Sequence, residues 1–218
     1  MDGQACVVDG DVVGSGTIAR PSERRGRLGV VQRVSVVGCS GSGKSTVARR
    51  LSNILGVPHV ELDALHWGPD WSAASSDDLS EKVRQATAAD TWIVDGNYQS
   101  KIGTLVWERA DTVVWVNPPK RTVMWRSLTR TIRRVVTREE LWSGNRENWR
   151  GLMFWRGEDS ILWWAWTSYA RVQQRYESAM LAPANKHLAF HRLRSSAEVK
   201  RFLEAVAAAH ALGSGEEE

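Results

Sequence analysis

Short apolar runs alternate with longer amphipathic stretches along this chain, and their spacing predicts an α/β protein. The β-branched positions Val34, Val36 and Val37 mark a buried strand over 33–37. A helix follows, with Val47, Ala48 and Leu51 at helical spacing, and Gly56, Val57 and Pro58 end it. Further strands are predicted over 59–62, 91–94, 111–116 and 187–193, the fourth stopped by Pro118 and Pro119. Helices are predicted over 77–89, 121–137, 160–181 and 196–211, with a loop over 63–78 and an irregular cover segment over 139–159. Strands alternating with helices imply a doubly wound, parallel five-stranded sheet with helices on both faces. Ligands of such sheets bind beyond the carboxyl ends of the strands.

Residues 1–32 are rich in Gly, Arg, Ser and Asp without a sustained period, and read as a flexible extension. The domain is expected over 33–211, with a lid region at about 121–160 and an acidic tail over 212–218. With 218 residues the chain suits one α/β domain. No apolar run approaches the ~20 residues that a membrane-spanning helix needs. Two cysteines, Cys6 and Cys39, do not make a disulfide framework. Together these features predict a soluble, cytoplasmic monomer. The net charge of +4 is modest, but residues 120–138 hold seven basic side chains and no acidic one. That clustering is more informative than the total.

The chemistry enters at Gly38-Cys39-Ser40-Gly41-Ser42-Gly43-Lys44-Ser45, which fits G-x-x-x-x-G-K-[ST], the phosphate-binding loop. It stands between a predicted strand and a predicted helix, as that loop must. Its glycines let backbone N–H groups converge on phosphate oxygens. Lys44 adds a point charge at the β/γ-phosphates, and the Ser45 hydroxyl can hold Mg²⁺ at the helix N-terminus, with Thr46 following. The motif predicts binding of a nucleoside triphosphate with Mg²⁺. Asp95 is followed by Gly96 and Asn97, where hydrolases commonly carry a second acid to orient water, and no N-K-x-D guanine-reading motif occurs. Transfer to an acceptor is therefore favoured over hydrolysis.

From these residues onward the chain resembles the adenylate-kinase-like small P-loop kinases, in the branch often labelled adenylate kinase or DNA topology modulation protein. The resemblance covers about 33–205 and rests on the loop, Leu62-Asp63, Asp95-Gly96, and Pro119 followed by Arg126 and Arg130. It implies a P-loop fold with a small helical lid, ATP and Mg²⁺ as cofactors, and a small-molecule or nucleotide acceptor. It further implies Asp95-Gly96 as the family's D-G motif, Arg126 as the first lid arginine and Ser195-Ser196 as the adenine loop. The family's T-G acceptor motif is replaced by Asp63-Ala64-Leu65-His66-Trp67, so AMP is not implied as acceptor. Arg156-Gly157-Glu158-Asp159 only echoes its R-x-D-D lid motif.

Each remaining candidate has a structural reading beside the functional one. Asp63 is a general base or a water-mediated Mg²⁺ ligand, or else a helix cap. Asp95 holds Mg²⁺ waters or the acceptor, or forms an Asp-Gly turn. Arg126 and Arg130, four apart, share a helix face and can clamp phosphoryl oxygens, or lie on a solvated basic face. His66, Trp67 and Tyr98 line an acceptor pocket or simply pack. Arg146 and Arg150 complete a lid or belong to a polar loop. Trp163, Trp164 and Trp166 read as packing, with base stacking on single-stranded nucleic acid as the alternative. The first functional reading is an ATP-dependent kinase whose catalytic residues are Lys44, Asp63, Asp95 and Arg126. The second is a nucleotide-regulated nucleic-acid-binding protein using the basic stripe, which steep salt dependence would reveal.

Overall fold

A computed structural model describes residues 31–147 and 161–213 of the chain. Residues 1–30 of the extension expected over 1–32, the lid positions Arg150, Arg156, Glu158 and Asp159, and residues 214–218 of the tail expected over 212–218 lie outside the described residues. Five strands are present among the described residues: β1 (Arg33–Val37), β2 (His59–Glu61), β3 (Trp92–Asp95), β4 (Thr112–Val116) and β5 (Ala189–Leu193). All pair in parallel, in the order β2-β3-β1-β4-β5. The helices are α1 (Lys44–Leu55), α2 (Leu62–His66), α3 (Ser76–Ala86), α4 (Gln99–Ile102), α5 (Lys120–Thr137), α6 (Ile161–Leu181) and α7 (Ser196–Gly213).

The apolar strands form the sheet because both its faces are covered. On one face Val34, Val36, Ile93 and Val114 meet Val47, Ala48 and Leu51 of α1 and Phe202, Leu203 and Val206 of α7. On the other, Val37, Trp92, Val94, Val113 and Trp115 pack with Leu79 and Val83 of α3, Val123 of α5, and Val172 and Tyr176 of α6. The fold is the α/β, doubly wound parallel sheet that the pattern predicts. β1 is central, with β3 and β4 on its two sides, so the chain reverses direction of winding at its carboxyl end. A crevice opens there by topology alone.

Local signals set the element ends. The Ser75 hydroxyl accepts from the Asp78 N–H at 3.1 Å and starts α3. Gly56, left-handed with φ 66°, stops α1. Two details differ from expectation. The segment after β2 is not all loop, because Leu62–His66 makes a turn and a half of helix before the bend at Trp67. A second short helix, Gln99–Ile102, lies between β3 and β4. Both are too short for periodicity to reveal.

Leu51 has no exposed surface and joins α1 to α7 across one core. Leu51→Ala is expected to cost about 2–5 kcal/mol of stability, read as a lowered melting midpoint in urea. A change below about 1 kcal/mol would contradict this packing.

Candidate active site

The phosphate loop leaves β1 at Gly38 and enters α1 at Lys44. Two of its glycines are obligatory by geometry. A Cβ on Gly38 would collide with the Val116 carbonyl oxygen, and one on Gly41, at φ 82°, would lie 2.6 Å from that of Val123. The neighbouring strand and α5 thus press directly on the loop. The Ser42 N–H donates to the Cys39 carbonyl at 3.0 Å, and the Val47 N–H donates to that of Gly43 at 3.1 Å. Cys39 is buried, and desolvation pushes its thiol up to about 11, so it stays protonated and unreactive.

Three cations converge on this loop. Lys44 Nζ stands 3.8 Å from Asp95 Oδ1. From α5, Arg126 donates to the Ser42 carbonyl at 3.1 Å and Arg130 to Ser40 Oγ at 2.7 Å. The spacing of four puts both guanidiniums on the face turned to the loop. Burial pulls the Arg130 pKa below its ordinary value, with Arg134 adding to the effect. Arg126 also reaches Ser196 Oγ at 3.4 Å, at the start of α7. An open cleft of about 370 Å³ lies beside it, lined among others by Thr46, Val116, Pro118, Leu193, Ser195 and Val199. Its apolar walls and hydroxyl rim suit a flat heterocycle next to the phosphate loop.

Asp95, at the end of β3, is 4% exposed. Burial raises its pKa, opposed first by Lys44 and then by a hydrogen bond from Ser45. Among the described residues its Oδ1 makes no hydrogen bond, the Lys44 cation standing 3.8 Å away. A buried carboxylate beside the Ser45 hydroxyl, with an oxygen unsatisfied, fits a hydrated divalent cation.

A second group gathers on α2 and α4. Asp63 lies in the first turn of α2, whose N-cap position is Glu61. The Tyr98 hydroxyl donates to Asp63 Oδ1 at 2.6 Å. Burial and the adjoining Asp63 hold the Tyr98 phenol protonated, well above its ordinary pKa. The His66 ring meets Trp67 edge-on at 4.6 Å and lies tilted against Tyr98 at 4.9 Å, and Lys101 Nζ lies 3.3 Å from its Nε2. Burial, then Lys101, lower the His66 pKa, leaving the ring neutral at pH 7. Asp63 acts electrostatically on both Asp95 and Arg130, so this group adjoins the phosphate loop.

The turn Trp142–Gly144 covers that group. Trp142 Nε1 donates to Glu61 Oε2 at 3.1 Å, Ser143 Oγ to the Trp67 carbonyl at 2.8 Å, and Asn145 Nδ2 to the Gly68 carbonyl at 2.8 Å. Arg146, next in the chain, is exposed and paired with Glu140. Trp166 is half exposed on α6 beneath Lys120, whose Nζ lies 3.5 Å from its ring centre, while the side chains of Trp163 and Trp164 lie outside the described residues.

The sequence alone assigned no site role to Glu61, Trp142 or Asn145, and marked Asn97 only as standing where hydrolases carry an acid. Asn97 Oδ1 accepts from the Gly38 N–H at 3.1 Å, and its Nδ2 donates to the Gly38 carbonyl at 2.5 Å. Its place right after Asp95-Gly96 was the available signal.

No family model and no curated protein matches this chain. Solved structures with a similar chain path include a gluconokinase from Sinorhizobium meliloti 1021, at 17% identity, covering 87% of this chain and 99% of that one, with a TM-score of 0.46. A shikimate kinase from Acinetobacter baumannii in complex with shikimate shows 12% identity, coverage of 86% and 96%, and a TM-score of 0.49. A sugar kinase from Janibacter sp. HTCC2649 shows 17% identity, coverage of 83% and 97%, and a TM-score of 0.44.

Proposed function

We propose that the chain is an ATP-dependent phosphotransferase that moves the γ-phosphoryl group of Mg-ATP to a hydroxyl of a small acceptor. One observation carries this reading: Lys44, Arg126 and Arg130 converge on a phosphate loop, and Asp63, paired with Tyr98, lies within electrostatic reach of Asp95 and Arg130. Bound Mg-ATP supplies the transferable group and a charge-neutralising cation, for which Ser45 and Asp95 are the fitting ligands or water holders. Lys44 meets the β/γ-oxygens. Arg126 and Arg130, already aimed at the loop, meet the charge that spreads over the moving phosphoryl oxygens. Tyr98 fixes one oxygen of Asp63 and leaves the other to take the acceptor's proton as the acceptor oxygen bonds to the γ-phosphorus and the bond from that phosphorus to the bridging oxygen breaks, releasing ADP. His66, Trp67 and Tyr98 form the acceptor's wall, under the cover of Trp142.

The basic stripe does not favour the nucleic-acid reading. Five of its seven cations are engaged within the fold: Arg126 and Arg130 on the loop, Arg133 and Arg134 with Glu139 and Glu147, and Lys120 over Trp166. A panel of nucleosides, nucleoside monophosphates, sugars and hydroxy acids, incubated with ATP and Mg²⁺ and read by mass spectrometry, tests the proposal. A phosphorylated product supports it; no product together with tight, salt-sensitive binding of DNA would replace it with the alternative.

Hydrolysis without an acceptor is expected to be slow, below about one turnover per second. The side chain that follows Asp95-Gly96 is Asn97, and its amide is spent on Gly38 and on Tyr176 rather than on water. A steady phosphate release above that rate, with no acceptor present, would contradict this assignment.

A further inference from the structure

Asn97 is tied to two parts of the chain that are remote in sequence. Its side-chain amide closes a pair of hydrogen bonds on Gly38, the first glycine of the phosphate loop, satisfying both the N–H and the carbonyl of that residue. The same Oδ1 accepts a third bond, at 2.8 Å, from the hydroxyl of Tyr176 on α6. Tyr176 has no exposed surface and packs against Trp107 and Trp115. Burial raises its pKa, so the hydroxyl remains a donor. The geometry fixes the amide's orientation, since only Oδ1 can accept from both partners.

The rest of α6 is anchored on the same side. Tyr169, about two turns earlier, donates to the Pro118 carbonyl at 3.0 Å, and Glu177 pairs with Arg192 of β5 at 3.0 Å. Pro118 is a wall of the cleft beside the phosphate loop. Two tyrosines of one helix therefore support the two sides of the nucleotide site, one through Asn97.

We infer that Asn97 is a positioning residue for the phosphate loop, and that Tyr176 makes the loop's binding-ready shape depend on the seating of α6. This rests on the loop binding a nucleotide, as in the proposed function. Neither residue touches the reacting atoms. A loop amide whose first glycine is not held must be ordered by the ligand itself, and that ordering weakens binding. An isolated Gly38 N–H and carbonyl, buried without partners, would also favour other loop conformations.

The test is a double-mutant cycle read by calorimetric titration with Mg-ADP, each variant checked by thermal melting. Asn97→Asp keeps the size but sets a carboxylate oxygen against the Gly38 carbonyl, while Asn97→Leu removes all three bonds. Both are expected to weaken Mg-ADP binding about tenfold or more, and Tyr176→Phe about threefold. Because Tyr176 acts through Asn97, its effect should vanish in the Asn97→Leu background. A packing role alone would lower the melting temperature without this dependence. If Asn97→Leu loses its cooperative melt, Tyr176→Phe decides alone: a threefold loss supports the inference, and unchanged affinity overturns it. Variants that all bind within twofold of the parent, or a Tyr176→Phe effect undiminished in the Asn97→Leu chain, overturn the inference and leave the nucleotide site standing. A parent chain that does not bind Mg-ADP removes both.

Discussion

Lys44→Ala is expected to lower phosphoryl transfer at least about a hundredfold, the scale of losing one preorganised charge-stabilising donor. Lys44 is the loop's own cation, and it also faces Asp95 at 3.8 Å. Its loss therefore acts twice. The β/γ-oxygens lose their point charge, and a carboxyl that burial already raises loses its largest opposing influence. The second effect has a sign that a melt can read. A carboxyl whose folded pKa lies above its unfolded value near 3.8 favours the folded state when protonated. That contribution is present at low pH and is lost as pH rises through the folded value. The melting temperature of Lys44→Ala should thus fall more steeply than the parent's as pH is raised above the ordinary carboxyl range. Parallel pH profiles, or near-parent turnover, would contradict the pairing described here.

Asp63→Asn is expected to give the other large effect, a fall in turnover of about a hundredfold to ten-thousandfold, with Mg-ATP affinity within a few-fold of the parent. The asparagine keeps the shape and can still accept from Tyr98, but it cannot take the acceptor's proton. The loss therefore belongs to the transition state and not to binding. Single-turnover transfer beside calorimetry separates the two. Arg126→Ala should show the same split for a different reason, since Arg126 meets charge that builds as the phosphoryl group moves. An Asp63→Asn chain that transfers normally would return Asp63 to a structural role on α2.

Much of this site could be read before folding. The loop motif, its strand and its helix are local in sequence. Arg126 and Arg130 were legible because a spacing of four fixes a shared face once a helix is granted. What could not be read depends on tertiary placement. The Asp63–Tyr98 bond joins residues 35 apart, and the Asn97 bonds reach 59 residues back to Gly38 and 79 forward to Tyr176. Nothing periodic links such pairs. Arg146 illustrates the converse: a cation near a suspected lid finds a closer partner in Glu140, across a local antiparallel bridge. The aromatic residues after β2 were visible as a cluster, but the contact between Tyr98 and Asp63 gives the phenol a task that packing alone did not suggest.

The most direct test follows the γ-phosphoryl group itself. Parent, Lys44→Ala and Asp63→Asn chains are each given γ-labelled ATP, Mg²⁺ and a pool of small hydroxyl compounds, and the labelled products are separated by mass. The parent should place the label on a low-mass phosphate ester, with little free phosphate, and both variants should fail to do so. Label found only as inorganic phosphate, at the same rate in the parent and Asp63→Asn, would contradict the account.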